Sequence, residues 1–173
     1  MSPVMNQVTL LVEQWRNGVM IEHIAQNKAA AYCLRRHRAL GLAATVSAAL
    51  AGASGFATLA EHTTWASWVA GIFGVVAAAL AAAQSFLGYQ ELADTHDQAS
   101  IRYGDLRRRI ESMLVKTAVP TQAELDEIRS LWNSLNLESP STSAAIHRKA
   151  KKEVRPAVAD APAYGHQMPP SSD

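Results

Sequence analysis

Histidine is the residue most able to do chemistry here, and the chain has six: His23, His37, His62, His96, His147 and His166. None pairs with another at metal-ligand spacing with carboxylate support, and there is no glycine loop to cradle a phosphate. The serines and the single cysteine, Cys33, have no base nearby in sequence to activate them. Cys33 has neither a disulfide partner nor a second thiol for a metal, so it is expected to be a reduced, buried thiol. The residues therefore predict no enzyme, cofactor or metal site. Three polar side chains stand out by position instead: Gln84 inside an apolar run, and His96 and Tyr103 on an otherwise apolar helical seam.

The elements that would position these three begin with two long uncharged runs, Ala39 to Ala60 and Thr63 to Gln90, separated by little more than Glu61 and His62. A helix of about 22 residues rises roughly 33 Å, which matches a hydrocarbon core of about 30 Å. The mean hydropathy of −0.04 resembles a soluble protein's only because polar flanks are averaged with this segment. We read residues 39–90 as a two-span membrane hairpin. Its richness in alanine leaves a soluble, alanine-lined bundle as the alternative, because alanine contributes little to insertion. No cleavable signal is expected, since a polar segment of about 38 residues precedes the first run.

Arg35, Arg36 and Arg38 stand just before the first span, whereas the connector offers only Glu61 and His62. The positive-inside rule then puts both termini in the cytoplasm, and Trp65 and Trp68 would mark the opposite boundary of an inner membrane. Small residues recur every four positions: Ala39, Ala43, Ser47, Ala51 and Gly55 in the first span; Ala70, Gly74, Ala78 and Ala82 in the second. Such rows let helices approach closely in lipid, either pairing the two spans or pairing protomers. Gln84, in the same apolar setting, needs a facing helix, water or a conduit between protomers.

Residues 1–38 are expected to form an N-terminal helical region. Val4, Val8, Leu11 and Trp15 make an amphipathic turn pattern that packs on a neighbour, Asn17-Gly18 marks a bend, and a helix runs from about Val19 into the membrane. Residues 91–137 should hold a cytoplasmic coiled-coil helix continuing from the second span, then a return helix. Its seam is Leu92, His96, Ala99, Tyr103, Leu106, Ile110 and Met113. A histidine on such a seam is ordinarily a packing residue; the sharper reading of His96 and Tyr103 is gating. Arg107, Arg108 and Arg109 are diluted by Asp105 and Glu111 and read as a solvated flank, not a nucleic-acid site. Val119-Pro120 stops the helix; Thr121 with Glu124 signals a capping box before the face Leu125, Ile128, Leu131, Trp132 and Leu135. Residues 138–173, with five of the seven prolines, are expected to be a disordered tail whose basic run from His147 to Arg155 is solvated or touches anions. The fold class is thus all-α: a membrane helical hairpin with long cytoplasmic helices forming a bundle or coiled coil.

This layout resembles the SLATT domains, two-span effector domains of bacterial conflict systems. The stretches AYCLRRHRALGLAATVSAALAG and QSFLGYQELADTHDQASIRYGDLRRRIE carry the resemblance. Within the second, Gln84 precedes the membrane exit, and His96, Ala99, Tyr103 and Leu106 fit an H-x-x-A-x-x-x-Y-x-x-L pattern. It covers roughly residues 20–137 and leaves the tail unexplained. The resemblance implies an inner-membrane effector that oligomerises and perforates the bilayer in anti-phage defence, released by a separate sensor or nucleotide-signalling protein. A non-conducting membrane scaffold or regulatory subunit is the alternative.

Overall fold

The structure is a computed structural model that describes residues 3–61, 64–116 and 119–159. Five helices follow in order: α1 (Pro3–Glu61), α2 (Thr64–Leu87), α3 (Tyr89–Val115), α4 (Gln122–Glu138) and α5 (Ala144–Ala159). They divide into two compact units. One contains Gln26–Ala99; the other contains the described parts of Met1–Ala25 and Ser100–Asp173. The connector residues His62 and Thr63, and residues 160–173 of the expected tail, lie outside the described residues.

The second of these units is built on a core of Val12, Val19, Tyr103, Leu106, Ile110, Met113, Leu125, Ile128 and Leu135, with Val8, Trp15, Leu131 and Trp132 packed against it. The first helical segment does pack on its neighbours. Its phase differs from the sequence reading, because Val12 is fully buried whereas Leu11 is exposed. The bend expected at Asn17-Gly18 is absent, and α1 runs through it. Gly18 serves packing instead: a Cβ there would lie 2.8 Å from Trp132 Cη2, so only a residue without a side chain admits the indole. The helix pays the modest propensity penalty of glycine and gains a large apolar contact.

The unbroken passage from the second span into α3 is also corrected. Gly88 has φ +53° and separates α2 from α3, with Leu92 N–H donating to its carbonyl. Positive φ is what glycine adopts without Cβ strain, so one residue ends one helix and starts the next. The α3 seam faces inward from His96 onward. Leu92 is 40% exposed, and its place is taken by Ala93, 5% exposed.

α4 begins as its sequence dictates. Thr121 Oγ1 accepts from Glu124 N–H, and Glu124 Oε2 accepts from Thr121 N–H at 2.8 Å. The Thr121 N–H, with Lys116 and the Thr121 hydroxyl, holds the Glu124 carboxyl down at about 2. Thr121→Ala is expected to cost about 1 kcal/mol, read as a lower chemical-unfolding midpoint with an unchanged slope.

The disordered tail is overturned for residues 144–159. Ser143 caps α5, accepting from Ile146 N–H at 3.4 Å, and Ala150 and Val154 are buried, with Ile146 partly so. Three small or branched apolar residues four apart suffice because the rest of the unit completes their burial. That stripe is too sparse to register among lysines and prolines.

Candidate functional site

The hairpin unit carries the candidate site. α1 and α2 each contain a stretch long and apolar enough to cross a membrane, and only 6% of either window is buried inside the protein. Leu42, Val46, Phe56, Trp65, Trp68, Ile72, Val75 and Phe86 are each at least half exposed. An apolar surface of this extent is stable against lipid and costly against water. The hydroxyls of Thr45 and Ser54 donate to the carbonyls of Gly41 (2.9 Å) and Leu50 (2.8 Å) on their own helix, so neither needs water.

The period-four rows do not each lie on one face. A step of four residues advances about 40° around a helix, so a five-member row sweeps roughly 160°. Accordingly Ser47 is buried, Ala51, Gly55, Ala70 and Gly74 are partly buried, and Ala39, Ala43, Ala78 and Ala82 are exposed. Cβ atoms added at Gly55 or Gly74 would meet nothing within 4 Å.

The two ends of the hairpin differ. Arg35, Arg36 and Arg38 are exposed beside the first span, and Arg36 lies over the Tyr32 ring (5.3 Å) while its Nε donates to the Tyr32 hydroxyl. Trp65 and Trp68 are exposed on the first turns of α2. Gln84 finds a partner within the unit: its Nε2 is 3.4 Å from either ring nitrogen of His37, only one of which accepts in the neutral ring. Gly41 makes room for it, since a Cβ there would lie 3.3 Å from the same nitrogen.

His96 is 4% exposed, and its Nδ1 donates to Gln26 Oε1 at 2.6 Å. A carbonyl acceptor fixes the Nδ1–H tautomer, and burial pushes the ring's pKa down. Sequence reasoning missed Gln26. The signal was there, because Val19, Gln26 and Cys33 repeat every seven residues and all three are buried. Cys33 is buried as expected, and burial raises its thiol pKa. Because the folded His96 pKa lies below the unfolded value, the folded protein resists the proton that the unfolded chain accepts. Its contribution is whole above the unfolded pKa near 6.5 and declines as pH falls toward the folded value. We expect the unfolding midpoint to fall from pH 7.5 to pH 5.5, and the fall to be smaller in His96→Gln.

In the other unit, His23 Nδ1 donates to the Ser100 carbonyl (2.8 Å), and Ser100 Oγ donates back to the His23 carbonyl (3.3 Å). The Tyr103 hydroxyl donates to Asn136 Oδ1 (2.8 Å), with burial pushing its pKa up, and His147 Nε2 donates to Glu22 Oε1 (3.1 Å). These pairs orient helices; they hold no nucleophile beside a base. The arginines of α3 are paired: Arg107 with Glu111, Arg108 with Asp105, Arg109 with Glu127, and Arg102 with Glu138.

Among curated proteins and among solved structures nothing matches the chain. A protein-family comparison does match, over residues 9–157, to the domain described as "SMODS and SLOG-associating 2TM effector domain family 4". The match takes in most of α5 as well as the hairpin. With most of the chain matched, an all-α fold and two apolar helices of spanning length, the protein belongs to family 4 of the SLATT two-transmembrane effector domains.

Proposed function

We propose that this protein is an inner-membrane effector of bacterial, abortive-infection-type defence whose hairpins assemble into a pore or otherwise disrupt the bilayer, released by a separate sensor or nucleotide-signalling protein. The observation that carries this reading is the hairpin surface itself. It exposes large apolar side chains along both spans and carries a glycine, Gly74, where an added Cβ meets nothing of its own chain. Two spans enclose no conduit, so perforation requires several copies. A small-residue contact supplies the close packing that replaces hydrophobic drive in lipid. The arginines at 35, 36 and 38 support an orientation with both termini in the cytoplasm. Gln84, His96 and Tyr103 are bonded within the chain in this form, which suits them to gating, through rearrangement on release, better than to lining a conduit.

One observation favours a non-conducting scaffold instead: Gln84, the amide in the apolar body, is already turned to His37. Inducible expression with a membrane-potential dye decides between them. Depolarisation, with or without the trigger, is expected, and membrane-inserted oligomers that never depolarise cells contradict the effector reading. Gly74→Ile should lower cross-linked oligomer at least several-fold and slow depolarisation in parallel. Unchanged cross-linking would remove Gly74 from the protomer contact.

A further inference from the structure

Cations on α3, α4 and the connector between them are interleaved with acids and paired with them, including Lys116 with Glu124 and Arg129 with Asp126. α5 carries five cations against a single acid, Glu153. Its apolar stripe is turned inward, and Arg148, Lys149, Lys151, Lys152 and Arg155 are all exposed. Among the described residues none of these five makes an ion pair. The spacing puts like charges four apart, at 148 and 152 and at 151 and 155, an arrangement that destabilises the isolated helix.

An opposite stripe exists in the hairpin unit. Glu91, Asp94 and Asp97 recur every three residues on the exposed side of α3, and they too make no ion pair among the described residues. Asp94 and Asp97 border an open groove of about 290 Å³ floored by Ala30, Ala31, Leu34 and Ala93. Small side chains leave that floor open to the methylene stems of lysine or arginine while the carboxylates meet the charged heads. The acidic stripe rises about 9 Å along its helix and the basic one about 10 Å. Two unpaired stripes of opposite sign and equal length, in a chain of net charge +1, are complementary to each other.

We propose that the cationic face of α5 docks on the Asp94/Asp97 groove of a second copy of this chain, a head-to-tail contact that repeats around a closed ring. This rests on the oligomeric reading above and names a surface for it. The test uses the full chain in detergent micelles, with mass and cross-linking as readouts and circular dichroism to check helix content. Lys151→Glu with Lys152→Glu, and separately Asp94→Lys with Asp97→Lys, should each weaken self-association tenfold or more. Co-expressed under different tags, the two variants should assemble with one another, because each supplies the charge the other now needs. Parent-like oligomers from both variants alone would overturn the docking surface and leave the oligomeric reading standing. A parent that stays monomeric at every concentration would overturn both. If reversing Lys151 and Lys152 leaves the oligomer intact but abolishes binding to phosphatidylglycerol vesicles, the face serves a lipid surface and the proposal fails.

Discussion

Val75→Arg is expected to expel the second span from the membrane. Val75 is 71% exposed at the middle of α2, and nothing in its own chain covers it. In a soluble helix an arginine at so exposed a position changes stability by no more than about 0.5 kcal/mol. At the centre of a bilayer the same side chain costs about 2.5–3.5 kcal/mol on the insertion scale, a factor of about 100 in the inserted fraction. The alanine-rich span has little reserve to absorb that, because alanine contributes almost nothing to insertion. Because the first span still anchors the variant, the readout is topology: a C-terminal phosphatase fusion, active only on the far side of the membrane, should be silent in the parent and active in the variant. Val115→Arg is the control: Val115 is 86% exposed, outside the apolar runs, and its fusion should stay as silent as the parent's. A Val75 fusion as silent as the Val115 one would overturn this expectation, and a parent fusion already active would mean that α2 does not cross the membrane.

The second large effect is expected at Ile110. It is fully buried in the core that joins α1, α3 and α4, so truncation to alanine removes apolar burial and leaves a cavity. Such changes cost about 2–5 kcal/mol. Ile101→Ala, at a position 56% exposed on the same helix, should cost far less. Denaturant unfolding read by tryptophan emission separates them, in a background where Trp65 and Trp68 are replaced by phenylalanine so that Trp15 and Trp132 report on this core. Comparable midpoints for the two variants would show that this core does not hold the unit together.

Much of the fold was legible because its signals are local. The uncharged runs, the Thr121–Glu124 capping box and the α3 seam depend on residues within a few turns of one another, and the structure reproduces each, the seam from His96 onward. The misreadings share a cause. Asn17-Gly18 locally predicts a bend, whereas Gly18 admits Trp132, a residue 114 positions away that no local pattern reveals. The local pattern over α5 predicts disorder because three apolar residues among lysines do not make a helix until another surface completes their burial. Gly88 lay in plain view between apolar and polar stretches, yet only its φ of +53° shows that it separates two helices.

The boundary roles proposed for Arg35, Arg36, Arg38, Trp65 and Trp68 rest on charge and residue type alone, since water and lipid sort side chains without reference to any partner. Gln84, His96 and Tyr103 were recognisable as anomalies, polar groups on apolar faces. Their partners, His37, Gln26 and Asn136, were not, because a hydrogen bond across 33 to 70 residues is fixed by how helices dock. By itself the sequence determined that the chain is helical and carries two lipid-compatible spans, since length, charge and hydropathy act on each segment separately. Only the tertiary structure decided which polar groups are satisfied and which charged faces remain open, because those depend on what each helix meets.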